Sequence, residues 1–423
     1  MERKIMDSLL KWKVDPMKKP LLLHGISGCG KTYTTLEFGK NEYKNVIYFD
    51  CDNNLELNYV FEKNNTIDKL IRSLSAVSLE TIFKEESLIV FDNITDNVLN
   101  VIKKTFLESS YHVVMITSSQ DFINKNKVAE LNLRKMSLVS FDEYLKYIGK
   151  EQLIDFILDS FKNDKPMPFH SMAMELFNDF VLTGGYPSAI INFKENNDYN
   201  LLSSIHEKNI KIMKNSLLEL DNLIDIKRSN EVLDSMAIQL LKQNKKFQYG
   251  LIKLGSRAKD YEAAISYLEN NQIIIKSSRI YELTSPLSKA KEEDNFKLYF
   301  NDSGILYKKM KIGSNRLLTS EKLLEILYEN NVVQALSQNG LNIYHYHSGG
   351  KAEIDLVIQT RTGKIIPIEM MKSDFSAKAK SLSLTLTKYN LNFAIRFTDD
   401  NFSTKKGIKY IPYYGAFCLT ETF

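Results

Sequence analysis

The sequence of 423 residues predicts an α/β protein with a parallel-sheet domain first, a helical and winged-helix middle, and a second α/β domain last. Three observations predict this order. Strand-like and helix-like segments alternate over the first 150 residues, helical patterns extend from about Glu151 to Asn244, and strands separated by turns follow from about Leu318. Strands that alternate with helices favour a parallel, doubly wound sheet. The length exceeds one ordinary core, so about two to four domains are expected.

Four short apolar runs predict the strands of the first domain. Each is bounded by turn residues and is short enough to be a strand buried on both faces. The runs are "PLLLHG", "NVIYFDCD" (Asn45–Asp52), "SLIVFDNI" (Ser87–Ile94) and "YHVVMITSS" (Tyr111–Ser119). The segment "KTYTTLEFGK", which follows the first run, predicts a helix.

The turn between the first strand and this helix is rich in glycine and follows the pattern GxxxxGK(S/T). Glycines let backbone N–H groups converge on phosphate oxygens, and the helix that follows adds its positive end. Lys31 would reach the outer phosphates, and the Thr32 hydroxyl would bind Mg²⁺. We therefore expect this loop to bind a nucleoside triphosphate with Mg²⁺. The expected binding residues are Gly25, Ser27, Gly28, Cys29, Gly30, Lys31 and Thr32.

Polar residues at the ends of two later strands complete the expected site. Asp92 ends the run "SLIVFD", where its carboxylate would hold the metal through water. The next residue is Asn93, and an amide hydrogen-bonds a water without taking its proton. Slow turnover, or a nucleotide switch with little turnover, is therefore predicted. Thr117 or Ser118 would contact the γ-phosphate, although both hydroxyls equally suit a cap on the next turn.

The middle of the chain predicts a winged helix. Three helical segments and a hairpin follow one another between Glu231 and Ser285. Basic residues are in excess here: Arg257 and Lys259 begin the candidate recognition helix, and two more lie on the wing, at Lys276 and Arg279. This placement suits contacts with a DNA groove and its phosphates. An internal joint between domains is an equally good interpretation.

Several stretches together resemble a prokaryotic family of AAA-type P-loop ATPases that carry a C-terminal domain of unknown function with a restriction-endonuclease-like, PD-(D/E)XK core. The resemblance implies ATP as the nucleotide. It also implies an ATPase domain over 1–150, a helical region over 151–230, a winged helix over 231–312 and a nuclease-like domain over 313–423. The family usually has Glu at the position of Asn93. The stretches are "LLLHGISGCGKTYTTLEFGK", "LIVFDNI", "SFDEYL", "LTGGYPSAI", "NKKFQYGLIKLGSRAKDYEAAISYLENN", "FKLYFNDSGILY", "EIDLVI" and "IPIE".

The same resemblance implies a metal site in the last domain. Carboxylates of such cores hold Mg²⁺ against the scissile phosphate, and a lysine two residues after the last one supports the attacking water. The implied metal residues are Glu329, Asp355 and Glu369. The lysine position holds Met371, and Lys372 comes next, on the opposite face of a regular strand. A bulge would bring Lys372 back. We expect an inactive nuclease fold.

The amino-acid composition is that of a globular protein and does not indicate a biological pathway. Hydrophobic residues make up 43% and charged residues 26%, as in globular proteins, and the net charge of +4 creates no strong field. Cys29, Cys51 and Cys418 have no metal-site spacing, which favours reduced thiols in a cytoplasm. No uninterrupted apolar stretch is long enough to predict a membrane span.

Three functional hypotheses follow from the sequence. The first is an ATP-driven or ATP-switched protein that binds double-stranded DNA. The second is a non-enzymatic regulator that binds a protein partner, with ATP as a conformational ligand. The third is an active nuclease that uses Lys372. A homo-oligomer is compatible with each of them.

Overall fold

The computed structural model describes the chain except for residues 53, 64–65, 216, 218–222, 243, 313–319, 349–352 and 371–378. The chain divides into two compact units, Met1–Ser137 and Leu138–Phe423, which are described separately. Both units combine helices with a sheet, so the predicted α/β class is confirmed.

The first unit contains a parallel sheet with helices between its strands. Its strands are β1 (Leu21–His24), β2 (Asn45–Asp50), β3 (Ser87–Asp92), β4 (His112–Thr117) and β5 (Asn132–Lys135). Its helices are α1 (Ile5–Val14), α2 (Lys31–Glu42), α3 (Leu55–Lys63), α4 (Ile67–Ser78), α5 (Asp96–Phe106) and α6 (Gln120–Lys125). The strand order is β2-β3-β4-β1-β5, and every pairing is parallel. The carboxyl ends of β1, β3 and β4 therefore meet at one edge.

The four apolar runs form β1 to β4, as predicted. β3 and β4 are buried along their whole length, because sheet neighbours cover both edges and helices cover the faces. The fifth strand was not predicted: its sequence, "NLRK", alternates half-buried and exposed residues at the edge of the sheet and has no apolar run.

The second unit begins with helices and ends with a mixed sheet. Its helices are α7 (Phe141–Tyr147), α8 (Gln152–Asn163), α9 (His170–Thr183), α10 (Pro187–Asn196), α11 (Tyr199–Asn215), α12 (Leu223–Leu240), α13 (Ala258–Asn270), α14 (Ser303–Met310), α15 (Glu321–Gln338) and α16 (Ala379–Lys388). Its strands are β6 (Ile274–Ile280), β7 (Lys291–Phe300), β8 (Tyr344–His347), β9 (Glu353–Gln359), β10 (Ile365–Met370), β11 (Ala394–Thr398), β12 (Ser403–Lys405) and β13 (Ile408–Pro412).

The expected wing hairpin differs from the strands observed. The hairpin expected within residues 273–285 supplies only β6, and its antiparallel partner is β7, which begins at Lys291. The other edge of β6 pairs with β8 in parallel, so one sheet runs β12-β13-β11-β10-β9-β8-β6-β7. Five of the seven residues of β6 are buried, and pairing on both edges satisfies its backbone groups. The wing strands and the C-terminal strands therefore share a sheet.

The glycine pair in "LTGGYPSAI" holds a buried carboxylate. Asp302 caps α14, where its Oδ1 accepts a hydrogen bond from the Ile305 N–H at 2.8 Å, and its Oδ2 accepts one from the Gly185 N–H at 2.6 Å. Gly184 has φ 71°, and a Cβ there would lie 2.5 Å from Asp302 Oδ1. Burial raises the pKa of Asp302 to about 6, against the lowering effect of the backbone N–H donors. The glycine pair therefore leaves room for the Asp302 carboxylate and supplies one of its donors.

Candidate nucleotide-binding and nuclease-like sites

The glycine-rich loop connects β1 to α2 through backbone conformations that favour glycine. Gly28 and Gly30 have φ 83° and 99°, in the left-handed region. A Cβ at Gly25 would lie 2.0 Å from the carbonyl oxygen of Met136. α2 begins at Lys31, directly after the last glycine, so the N–H groups of its first turn open toward the loop.

The Lys31 ammonium lies inside this loop. Its Nζ donates to the carbonyl oxygens of Gly25 at 2.8 Å and Ile26 at 3.1 Å, and to Ser118 Oγ at 2.9 Å. Phosphate oxygens are acceptors of the same kind, with more negative charge, and would compete for these donors. Of the two candidate γ-phosphate contacts, the structure places Ser118 beside Lys31. Thr117 Oγ1 instead accepts a hydrogen bond from the Ser119 N–H at 3.1 Å.

The remaining loop residues take different positions. Ser27 is half-buried and Gly28 is exposed at the tip of the loop. The Cys29 thiol is buried and lies 3.6 Å from the Met136 carbonyl oxygen, so only the backbone of Cys29 is available to a phosphate. The Cys29 carbonyl oxygen accepts a hydrogen bond from Arg3 Nη1 at 2.7 Å, which ties the loop to the N-terminal segment.

Thr32 and Asp92 form a hydroxyl–carboxylate pair at the edge of the sheet. The Thr32 hydroxyl donates to Asp92 Oδ2 at 2.5 Å, and the Asp92 side chain is buried. Oxygen ligands of this type suit Mg²⁺. The Tyr48 hydroxyl also donates to Asp92 Oδ2, at 3.2 Å. Burial, and then the Asp92 charge, raise the pKa of Tyr48, so it remains a donor.

Asn93 follows β3 in a left-handed conformation, with φ 52°. Its backbone N–H donates to Asp92 Oδ1 at 2.9 Å, and its side-chain Nδ2 donates to Asp50 Oδ1 at 3.0 Å. Asp50 ends β2 directly opposite Asp92 in the sheet register. Tyr48 and Asp50 were not predicted from the sequence. The signal that was available is their i, i+2 spacing at the end of a predicted strand.

The three acids of the implied nuclease site are buried in the second unit and have basic or backbone partners. Glu329 Oε2 accepts from Lys245 Nζ at 2.6 Å, and its Oε1 accepts from the Tyr299 hydroxyl at 2.8 Å. Burial, and then Glu329, hold the pKa of Tyr299 well above its usual range, and Asp355 acts in the same direction.

Asp355 and Glu369 lie on the adjacent antiparallel strands β9 and β10. Asp355 Oδ2 accepts from the Met370 N–H at 3.0 Å, and Glu369 Oε2 accepts from Arg396 Nη2 at 2.6 Å. Within the described ranges, no group of three or more His, Cys, Asp or Glu residues is placed to hold a metal ion. Lys372, the candidate nuclease lysine, lies outside the described residues.

The basic residues of the predicted winged helix fall into two groups. Arg257 and Lys259 are exposed at the start of α13. On the wing, Lys276 Nζ lies 4.5 Å from the centre of the Phe296 ring. Arg279 pairs with Glu292 at 3.1 Å. The wing charges therefore have partners within the unit, while the charges at the start of α13 face solvent.

Three families match successive parts of the chain. An AAA domain matches residues 17–145, a domain of unknown function (DUF8612) matches residues 174–316, and another (DUF4143) matches residues 325–415. No curated protein matches the chain.

Solved structures similar to the chain are distant. A Walker-type ATPase of Pyrococcus abyssi has 13% identity and a TM-score of 0.42, over 74% of this chain and 96% of that one. The Orc1 protein of Aeropyrum pernix, solved in complex with DNA, has 11% identity and a TM-score of 0.28, over 73% and 90%. A STAND protein of Pyrococcus horikoshii with a tetratricopeptide repeat sensor has 12% identity and a TM-score of 0.24, over 78% and 45%.

The AAA-domain match and the geometry of the loop agree. Together they support a P-loop ATPase domain in the first unit, where Lys31 and the Thr32–Asp92 pair lie at the carboxyl edge of the sheet. Among the helices that the structure describes, none has the length and hydropathy needed to cross a membrane.

Proposed function

We propose that the protein is a slow or switch-like ATPase whose nucleotide state controls DNA binding by its second unit. The observation that carries the nucleotide half is the Thr32–Asp92 pair at 2.5 Å beside the buried Lys31. Lys31 would neutralise the β- and γ-phosphates, and Thr32 and Asp92 would hold the Mg²⁺ that accompanies ATP. The metal supplies charge neutralisation on the phosphate oxygens.

Slow turnover is supported by the residue that follows Asp92. Asn93 offers an amide where a carboxylate would accept a proton, and its N–H donates to Asp92 Oδ1 at 2.9 Å. We expect phosphate release from saturating Mg-ATP that is slow and depends on Lys31. Lys31→Ala should abolish it, while Lys40→Ala, at an exposed lysine of the same helix, should leave it unchanged. A brisk rate in the intact chain would contradict the switch-like behaviour.

DNA binding is supported by the exposed basic residues just before and at the start of α13. Lys253, Arg257 and Lys259 are exposed within seven residues, where they would contact phosphates. DNA cleavage is not part of the proposal, because two of the three carboxylates of the nuclease-like site form buried ion pairs with basic residues. Glu329 pairs with Lys245, and Glu369 pairs with Arg396.

Binding of a DNA duplex tests the proposed role of these basic residues. Replacing Lys253, Arg257 and Lys259 by Ala should weaken binding of a duplex and reduce the slope of log K against log salt by about two to three. A matched triple replacement of exposed lysines elsewhere in the second unit, Lys150, Lys162 and Lys322, should leave the slope unchanged. Absence of salt-dependent binding, with and without Mg-ATP, would remove DNA from the proposal.

A protein partner is the second candidate, because an apolar side chain stands among these charges. Leu254 is 96% exposed between Lys253 and Arg257. In this alternative, ATP is a conformational ligand and the chain has no turnover. If the intact chain binds Mg-ATP but neither releases phosphate nor binds a duplex, the protein-partner alternative is favoured. Plasmid cleavage with Mg²⁺ that Asp355→Ala abolishes would instead support the nuclease that uses Lys372.

A further inference from the structure

The most informative contact outside the loop joins the ends of β2 and β3. Asp50 Oδ1 accepts a hydrogen bond from Asn93 Nδ2 at 3.0 Å, and both side chains are exposed at the edge that carries Asp92. The carboxylate of Asp50 is itself fixed, because the same oxygen accepts the Asp52 N–H at 3.1 Å. Asn54 Nδ2 donates to the Asp50 carbonyl oxygen at 3.3 Å.

A carboxylate can hydrogen-bond only the NH₂ end of an amide side chain. An ionised Asp is an acceptor only, so it binds the NH₂ end of Asn93 and leaves the carbonyl oxygen Oδ1 as the end open to another donor. The backbone of Asn93 has φ 52°, a conformation in which Asn and Asp are several-fold enriched over other residues. Backbone and side chain of Asn93 are therefore both held.

We propose that Asp50 is a positioning residue for ATP hydrolysis: it holds the Asn93 carboxamide so that Oδ1 accepts a hydrogen bond from the attacking water. The inference rests on the proposed ATPase function and adds to it the group that orients Asn93. The water oxygen bonds to the γ-phosphorus while the bond from that phosphorus to the β–γ bridging oxygen breaks. ADP leaves with the electron pair, and the water proton passes to a phosphate oxygen. No protein base is needed for this step, which suits a loose transition state.

A double-mutant cycle tests whether Asp50 acts through Asn93. We expect Asp50→Ala to lower kcat by about tenfold, as losses of supporting hydrogen bonds do, with Kd for Mg-ATP within about twofold of the intact chain. Asn93→Ala should lower kcat similarly. In the Asn93→Ala background, Asp50→Ala should have no further effect, because the group that it positions is absent. Asp68→Ala, at an exposed acid of α4, should leave kcat unchanged.

A conservative variant covers the case in which Asp50→Ala does not fold. Asp50→Asn keeps the shape and offers Asn93 either an oxygen or an NH₂ group, so its kcat should fall between the intact chain and Asn93→Ala. Unchanged kcat in Asp50→Ala, or an equal further loss in the Asn93→Ala background, would overturn the positioning role. A chain that binds Mg-ATP without any turnover would overturn it while leaving ATP binding intact. A chain that does not bind ATP would remove the proposed function itself.

Discussion

At the scale of single residues, the first unit gathers four polar groups at one sheet edge. Two of these groups belong to α2, Lys31 and Thr32, while Asp92 ends β3 and Ser118 follows β4. Lys31 donates a hydrogen bond to Ser118 at 2.9 Å, and Thr32 donates one to Asp92 at 2.5 Å. The parallel order of β3, β4 and β1 brings these groups together, since it places the carboxyl ends of the strands at one edge.

The Thr32 hydroxyl should matter for the metal more than for the nucleotide. We expect Thr32→Ala to weaken binding of ATP by about tenfold in the presence of Mg²⁺ and to leave binding in EDTA unchanged, because the hydroxyl would be a metal ligand in the proposed site. Titration of a fluorescent ATP analogue under both conditions measures the difference. An equal loss in Mg²⁺ and in EDTA would mean that Thr32 supports the loop and not the metal.

At the scale of elements, the connection between α9 and α10 depends on two glycines that enclose a carboxylate from the cap of α14. Gly184 combines a left-handed backbone with close contact to Asp302, whereas Gly149 has nearly the same φ, 73°, with no atom within 4 Å of its Cβ position. A side chain at Gly149 would therefore meet only the unfavourable backbone conformation, whereas one at Gly184 would also collide with Asp302.

Gly184→Ala should therefore be the more destabilising of the two replacements. Gly149→Ala should cost about 1 kcal/mol in the free energy of unfolding, from the backbone conformation alone. Gly184→Ala should cost about 2 kcal/mol more, because the methyl group displaces the Asp302 carboxylate from its N–H donors. Urea denaturation of both variants gives the comparison, and equal losses would contradict the role given to Asp302.

At the scale of the whole molecule, stability should depend on pH through buried histidines. Burial lowers the pKa of His24 and of His112 to about 4, and nearby lysines add to this in both cases. A group with a depressed pKa in the folded state favours the fold above its unfolded value of 6.5, and that stability is lost as the pH falls toward 4. Asp302 acts oppositely in the second unit, since its raised pKa favours the fold at lower pH.

The fluorescence of the single tryptophan can follow the pH dependence of stability in the first unit. Trp12 is buried with its ring centre 5.8 Å from that of His112. We expect the Tm followed by its fluorescence to fall between pH 6.5 and 4, with His112 contributing up to about 3 kcal/mol of the loss. His112→Asn keeps an acceptor for the Tyr43 hydroxyl, which lies 2.7 Å from His112 Nδ1, and should make the fall smaller. The same pH dependence in that variant would contradict the assignment.

The sequence was sufficient for the parts of the fold and site that depend on neighbouring residues. The strands β1 to β4 and the glycine-rich loop of the candidate site are contiguous sequence patterns, and Asp92 is the last residue of a predicted strand. The contacts of Asp50, Lys245 and Arg396 were not predictable, because strand register and tertiary packing bring their partners from 27 to 84 residues away. Likewise, the pairing of β6 with β8 depends on a sheet edge that periodicity does not reveal.

The central claim is that the glycine-rich loop binds a triphosphate through Lys31, and equilibrium binding of Mg-ATP to the purified chain tests it most directly. Calorimetric titration should show one site per chain, lost in Lys31→Ala and retained in Lys40→Ala. A chain that gives no binding heat, or a Lys31→Ala variant that binds as tightly as the intact chain, would contradict it.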